Sequence, residues 1–187
     1  MRFKLDKKFL LIGLALIFLT AIAISQIKPP IYTLDYHGVK LKFRADLRSV
    51  DGIKVFPSEK AVREEIMSPF VENITIVYKP GNETINAHYA VEVFEIVNKL
   101  AVAYRLKFGY IPKVKVLNVT SYENLEGTAE NPIIALIHPI YSNETSIRLE
   151  KHVIYIQAEN AETLEKQLKN FDSVAIKFIM IALNIKV

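Results

Sequence analysis

Between Phe9 and Ile27 the chain reads FLLIGLALIFLTAIAISQI, 19 residues without a charge. As a helix at about 1.5 Å per residue, this stretch spans roughly 28 Å, close to the hydrocarbon thickness of a bilayer. The flank before it, MRFKLDKK, sets Arg2, Lys4, Lys7 and Lys8 against Asp6 alone. The positive-inside rule keeps such a cluster in the cytoplasm and sends everything after Lys28 to the far side. The expected organisation is a basic flank over 1–8, a transmembrane signal anchor over 9–27, a linker over 28–31 stiffened by Pro29 and Pro30, and one extracytoplasmic domain over 32–187. A cleaved signal peptide is the competing form, because Ala21-Ile22-Ala23 and Ala23-Ile24-Ser25 both satisfy the small-residue rule for cleavage. The length of the apolar run favours the anchor, and both forms deliver the domain to the same side.

Four of the 11 asparagines, Asn73, Asn82, Asn118 and Asn143, are followed two places later by threonine. With 16 Ser and Thr among 187 residues, chance supplies about one such triplet, so the excess suits a glycoprotein that meets a glycosylation machinery. Asn82 beside Pro80-Gly81 and Asn143 in a polar loop are the better acceptors, and Asn73 and Asn118 sit at strand margins.

Composition removes whole classes of chemistry. Cysteine is absent, which excludes disulfides, thiolate metal sites and cysteine nucleophiles. The net charge of +4 lies almost wholly in the N-terminal flank, so the body is near neutral and no nucleic-acid footprint is expected. Six glycines furnish no phosphate cradle, no nucleophile elbow and no dinucleotide fingerprint, and no cofactor is expected.

Periodicity predicts an α/β (α+β) domain with a mixed sheet, an N-terminal hairpin and packed helices. Tyr32, Leu34 and Tyr36 alternate with polar residues, His37-Gly38 turns, and Val39, Leu41 and Phe43 resume the alternation. Ser58 caps a short helix reaching about Met67, and NITIVY follows as a strand. A long helix runs from about Asn86 to Phe108, then a strand over 114–119, and the two strands should lie parallel across this crossover. IIALIH, bracketed by Pro132 and Pro139, suits a central strand. A hairpin around Glu150-Lys151 and a core helix from about Ala161, capped by Asn160, complete the chain. The predicted order is β-β-α-β-α-β-β-β-β-α.

The C-terminal third, with NPIIALIHP, HVIYIQAEN and FDSVAIKFIMIALNI, resembles the closing segment of uncharacterised archaeal single-pass membrane-anchored or envelope proteins. The resemblance implies an extracytoplasmic α/β domain and carries no functional residue with it.

Candidate chemistry is sparse. On the long helix, His88, Glu92, Glu95 and Lys99 recur at spacings of four, three and four, which is one helical face. His88, Glu92 and Glu95 are potential metal ligands there. The plainer expectation is a solvated edge with Glu95 and Lys99 as an i,i+4 ion pair. His138 closes the apolar strand, where ligands gather in α/β sheets, although a hydrogen-bonded structural histidine is the commoner finding. Glu123, Glu126 and Glu130 lie in a loop expected to be solvated, and Arg44, Asp46 and Arg48 alternate as a strand row would. The function expected is that of a membrane-anchored extracytoplasmic binding or envelope-assembly module without enzymatic activity, with another envelope or membrane protein as its partner. An extracytoplasmic hydrolase or metal-dependent enzyme, and an accessory subunit of a membrane complex, are the alternatives.

Overall fold

The computed structural model describes residues 32–44 and 46–186. The expected flank, anchor and linker over 1–31 lie outside the described residues, among which no helix is long and apolar enough to cross a membrane.

The chain enters as a two-stranded antiparallel hairpin, β1 (Tyr32–Tyr36) and β2 (Val39–Phe43). His37 and Gly38 both take positive φ, the conformation that a two-residue turn matched to strand twist requires, and the Asp35 carboxylate accepts from the Gly38 N–H at 2.8 Å. Leu41 and Phe43 alternate inward and are buried in the main core.

A three-residue strand, β3 (Lys54–Phe56), comes next, and then α1 (Glu59–Ile66), whose N-terminus is capped by the Ser58 hydroxyl. The remaining elements are β4 (Asn73–Tyr78), α2 (Glu83–Phe108), β5 (Lys113–Asn118), β6 (Ile133–Ile137), the hairpin of β7 (Ser146–Glu150) and β8 (Val153–Gln157), and α3 (Leu164–Leu183). Together with β3 these strands form one sheet in the order β3-β7-β8-β6-β4-β5. β5, β4, β6 and β8 are mutually parallel, β7 is antiparallel to β8, and β3 runs parallel to β7 at the far edge. The chain thus crosses from β4 through α2 to β5, then returns to lay β6 on the other side of β4. The carboxyl ends of β4 and β6 lie side by side where those two paths part, the usual position of a site in such sheets.

The helices pack on one face, α3 lying against both α1 and α2. Ile74, Ile76, Ile134, Leu136, Ile154 and Ile156 point into that layer at the strand period of two and are fully buried. On the opposite face Val77, Ala135 and Val153 are covered by Tyr122, Leu125 and Val119 from the β5–β6 connection. The expected solvated acidic loop is therefore partly a lid on the sheet, although Glu123, Glu126 and Glu130 themselves are exposed. Gly127 makes the lid fit: its N–H donates to the Lys151 carbonyl at 3.0 Å, and a Cβ there would meet the His152 carbonyl oxygen at 2.5 Å.

Several sequence expectations need correction. β3 was absent from the predicted order because three residues with no alternation leave no periodic signal. Arg44, Asp46 and Arg48 do not form a strand row: the Asp46 carboxylate accepts from the Arg48 N–H at 2.9 Å and winds Leu47–Val50 into a 3-10 turn. The last helix begins at Leu164 under a Thr163 cap, because Asn160 instead holds the Ala161 N–H and the Gln167 amide. The long helix begins earlier than expected, at Glu83, with Asn82 as its cap. Its polar stripe is not a solvated edge: His88, Glu92 and Lys99 are buried against α3 and the N-terminal hairpin.

Candidate functional site

His88 and Glu92 stand one turn apart on α2, so both side chains project from the same face. α3 meets that face with Phe171 fully buried, which places the next residue, Asp172, at the rim of the helix–helix seam. His88 Nε2 lies 2.6 Å from Asp172 Oδ1 and 3.8 Å from Glu92 Oε1. One ligand atom from each of the three lies within 4.8 Å of the others. The side chains of His88 and Glu92 are 9 % and 5 % exposed, and that of Asp172 is 31 %, so the cluster reaches solvent mainly along Asp172.

Two carboxyl groups in such a seam cannot both ionise freely. Burial pushes Glu92 well above the usual carboxylate range, and the neighbouring Asp172 carboxyl pushes the same way. Arg44 opposes this only weakly. Glu92 therefore holds its proton against Asp172 well above the pH at which an exposed glutamate loses it.

His138 lies behind the cluster at the end of β6, completely buried, with its ring centroid 5.8 Å from that of His88. Burial first, and then the His88 ring, depress it to about 4, so it is neutral at physiological pH. Its Nδ1 accepts from the Ile140 N–H at 3.4 Å, which leaves the proton on Nε2. That Nε2 is buried without a partner, as is Nδ1 of His88. The His138 backbone is held by a tyrosine relay: its N–H donates to the Tyr89 hydroxyl at 3.0 Å, which lies 3.4 Å from the Tyr122 hydroxyl, and Tyr122 donates to the Leu136 carbonyl at 2.6 Å. Burial raises Tyr89 and Tyr122 above the ordinary phenol range, so both act here as neutral hydroxyls.

Glu95, the third potential ligand on that face, is engaged in the i,i+4 ion pair expected from its spacing. It pairs with Lys99 and lies 3.7 Å from Arg44 Nε, while Lys99 Nζ sits 4.9 Å above the Phe43 ring. The sequence missed Asp172, Tyr89 and Tyr122 as members of this site. Only Asp172 left a local trace, as an acid two residues before the apolar run of the last helix.

The four sequon asparagines scatter. Asn82 caps α2 through Oδ1, which accepts from the Ile85 N–H at 3.0 Å; Asn82, Asn143 and Asn118 are exposed. Asn73 is half-buried at the start of β4, and its Thr75 is buried with the hydroxyl donating to Asn131.

A second feature lies on the other side of α2. Tyr78, Val93, Phe94, Val97, Val114 and Val116 line a groove of about 680 Å³ between α2 and β5. Phe94 is 62 % exposed and Val116 45 %, and β5 is the edge strand of the sheet.

Comparison with known proteins gives no match: no family model, no curated protein and no solved structure resembles the chain.

Proposed function

We propose that the chain is a membrane-anchored extracytoplasmic module of the envelope, non-enzymatic, that receives an extended apolar segment of another envelope or membrane protein along β5. The observation that carries this reading is Phe94, 62 % exposed beside an apolar groove and an unpaired strand edge. An open edge offers a row of main-chain donors and acceptors, and pockets beside it select side chains, which is how β-strand addition works. Lys113 and Lys115 on the same strand discourage indiscriminate pairing and favour a segment bearing acidic residues. The uncharged run over 9–27 and the basic flank before it support the tether and its orientation.

The alternative, a metal-dependent hydrolase, draws on His88, Glu92 and Asp172. Only Asp172 of the three is appreciably exposed, an arrangement better matched to holding an ion than to receiving a substrate.

A benzophenone side chain placed at position 94 in the full chain, irradiated in native membranes, tests the reading against the same probe at exposed Glu150. A discrete adduct at 94 and none at 150 is expected, and equal labelling or none at either position would overturn it. The intact mass of the membrane-extracted protein reports anchor and glycans together. Full length with sugar on Asn82 or Asn143, and a bare Asn118 at the end of β5, is the pattern the reading requires.

A further inference from the structure

We propose that His88, Glu92 and Asp172 form a binding site for a zinc-like first-row divalent metal ion, which clamps α2 to α3. Three side chains from two helices, 80 positions apart in sequence at their closest, bring one imidazole nitrogen and two carboxylate oxygens within 4.8 Å of one another. Metal–ligand bonds of about 2.0–2.2 Å in a tetrahedral site put ligand atoms roughly 3.3–3.6 Å apart. The separations of 2.6 Å and 3.8 Å around His88 Nε2 bracket that span, so side-chain rotation alone can bring the ligands into place.

Charge supplies the drive. Two carboxyl groups and an imidazole meet in a mostly buried seam with no lysine or arginine in ion-pair contact, among the described residues, with Glu92 or Asp172. A divalent cation would displace the proton shared by the two carboxyls and balance both as carboxylates, which a monovalent ion would do only in part. The imidazole decides the class of metal: calcium and magnesium prefer all-oxygen shells, whereas mixed nitrogen and carboxylate sets suit zinc and its neighbours.

The unpartnered imidazole nitrogens are the second observation. Buried polar nitrogens without partners are rare in folded proteins, and here two occur on adjacent rings, at Nδ1 of His88 and Nε2 of His138. A metal held by three side chains keeps a fourth position for water, and that water would offer a partner to the buried Nε2 of His138. His138 is thereby a supporting residue, and the three ligands lie on α2 and α3.

The test uses the full chain in detergent, freed of metal by a chelator and then titrated separately with zinc, cobalt(II), magnesium and calcium. One equivalent of zinc per chain, a visible cobalt(II) spectrum of a low-coordinate mixed nitrogen–oxygen site, and a rise in Tm with zinc but not with calcium or magnesium are expected. Asp172→Asn, at the exposed rim, should fold and lose at least about 100-fold in zinc affinity, while Glu95→Gln should retain it. The absence of a cobalt(II) spectrum and of any zinc-dependent Tm shift would overturn the proposal. So would zinc binding undiminished by Asp172→Asn, which would place the ion at an exposed histidine such as His37 or His152, or equal response to calcium.

Discussion

The two long faces of α2 invert the usual arrangement. The face turned to α3 and the N-terminal hairpin carries His88, Glu92, Glu95 and Lys99, and the face turned to solvent carries Ala87, Ala90, Phe94 and Asn98. A helix that served only its own fold would place the charges outside and the phenylalanine inside. Here the sheet-facing residues Ile85, Tyr89, Ile96, Leu100 and Ala103 already supply the packing, which leaves the other faces for other work. The polar face itself divides. Glu95, Lys99 and Arg44 compensate one another, whereas one turn away His88, Glu92 and Asp172 leave acid groups in surplus, with no lysine or arginine paired to them among the described residues. Balanced charges read as structure, and the unbalanced acid groups as the site proposed for an ion.

The largest effect should come from breaking the balanced half. Lys99→Met leaves Glu95 facing only the longer contact to Arg44, and loss of one partner from a buried pair costs about 3–5 kcal/mol. Adding Glu95→Gln should recover most of that loss, because two apolar or neutral groups replace two charges. Urea unfolding of the wild type, both single variants and the double variant closes the cycle; an additive outcome would mean that the pair is not coupled.

Next comes the support of the surplus half. Tyr89→Phe removes the acceptor of the His138 N–H and leaves a buried donor unpaired, at about 1–3 kcal/mol. Hydrogen exchange at the His138 amide should accelerate well before global unfolding. Unchanged protection there would show that Tyr89 is packing alone.

Glu92→Gln probes the surplus directly and reverses sign with metal. In metal-free protein the folded state keeps a proton on Glu92 that the unfolded chain releases above about pH 4.5, the ordinary value for this side chain. The folded state thus binds more protons from pH 4.5 up to the raised folded value, so stability falls as pH rises through that window; below it both states are protonated and the contribution is complete. Gln cannot titrate, and its amide can donate to the Asp172 carboxylate beside it. The variant should therefore flatten the pH dependence and be more stable than the metal-free wild type at neutral pH by about 1–2 kcal/mol, then less stable than it in saturating zinc. Matching stability–pH curves for the two metal-free proteins would break the comparison at its centre.

How much of this was legible in the sequence follows the same division. The β1–β2 hairpin, β4, β6 and the β7–β8 hairpin were readable because alternation and turn residues are local. That His88 and Glu92 share a face was readable from their spacing; that the face points inward was not, since hydrophobic patterning assigns charged stripes to solvent. Asp172 joins them only through the α2–α3 contact, and no spacing within one helix encodes that. Glu95 was grouped with them because the helical period cannot tell which of two neighbouring acids meets a cation from elsewhere, here Arg44 and Lys99.

The solvent face yields the smallest change in stability and the sharpest separation of roles. Phe94 makes few contacts that folding would lose, so Phe94→Ser should shift unfolding by no more than about 0.5 kcal/mol. It leaves His88, Glu92 and Asp172 untouched, so zinc affinity should be unchanged. What it removes is the apolar anchor beside β5. With the benzophenone moved to Val116, across the groove, the adduct formed in native membranes should fall at least several-fold on Phe94→Ser. A variant that unfolds would make Phe94 part of the core, and one that keeps the full adduct would make the groove a bare surface. Loss of the adduct with stability and zinc binding intact is the outcome expected if α2 holds an ion on its inner face and a partner on its outer one.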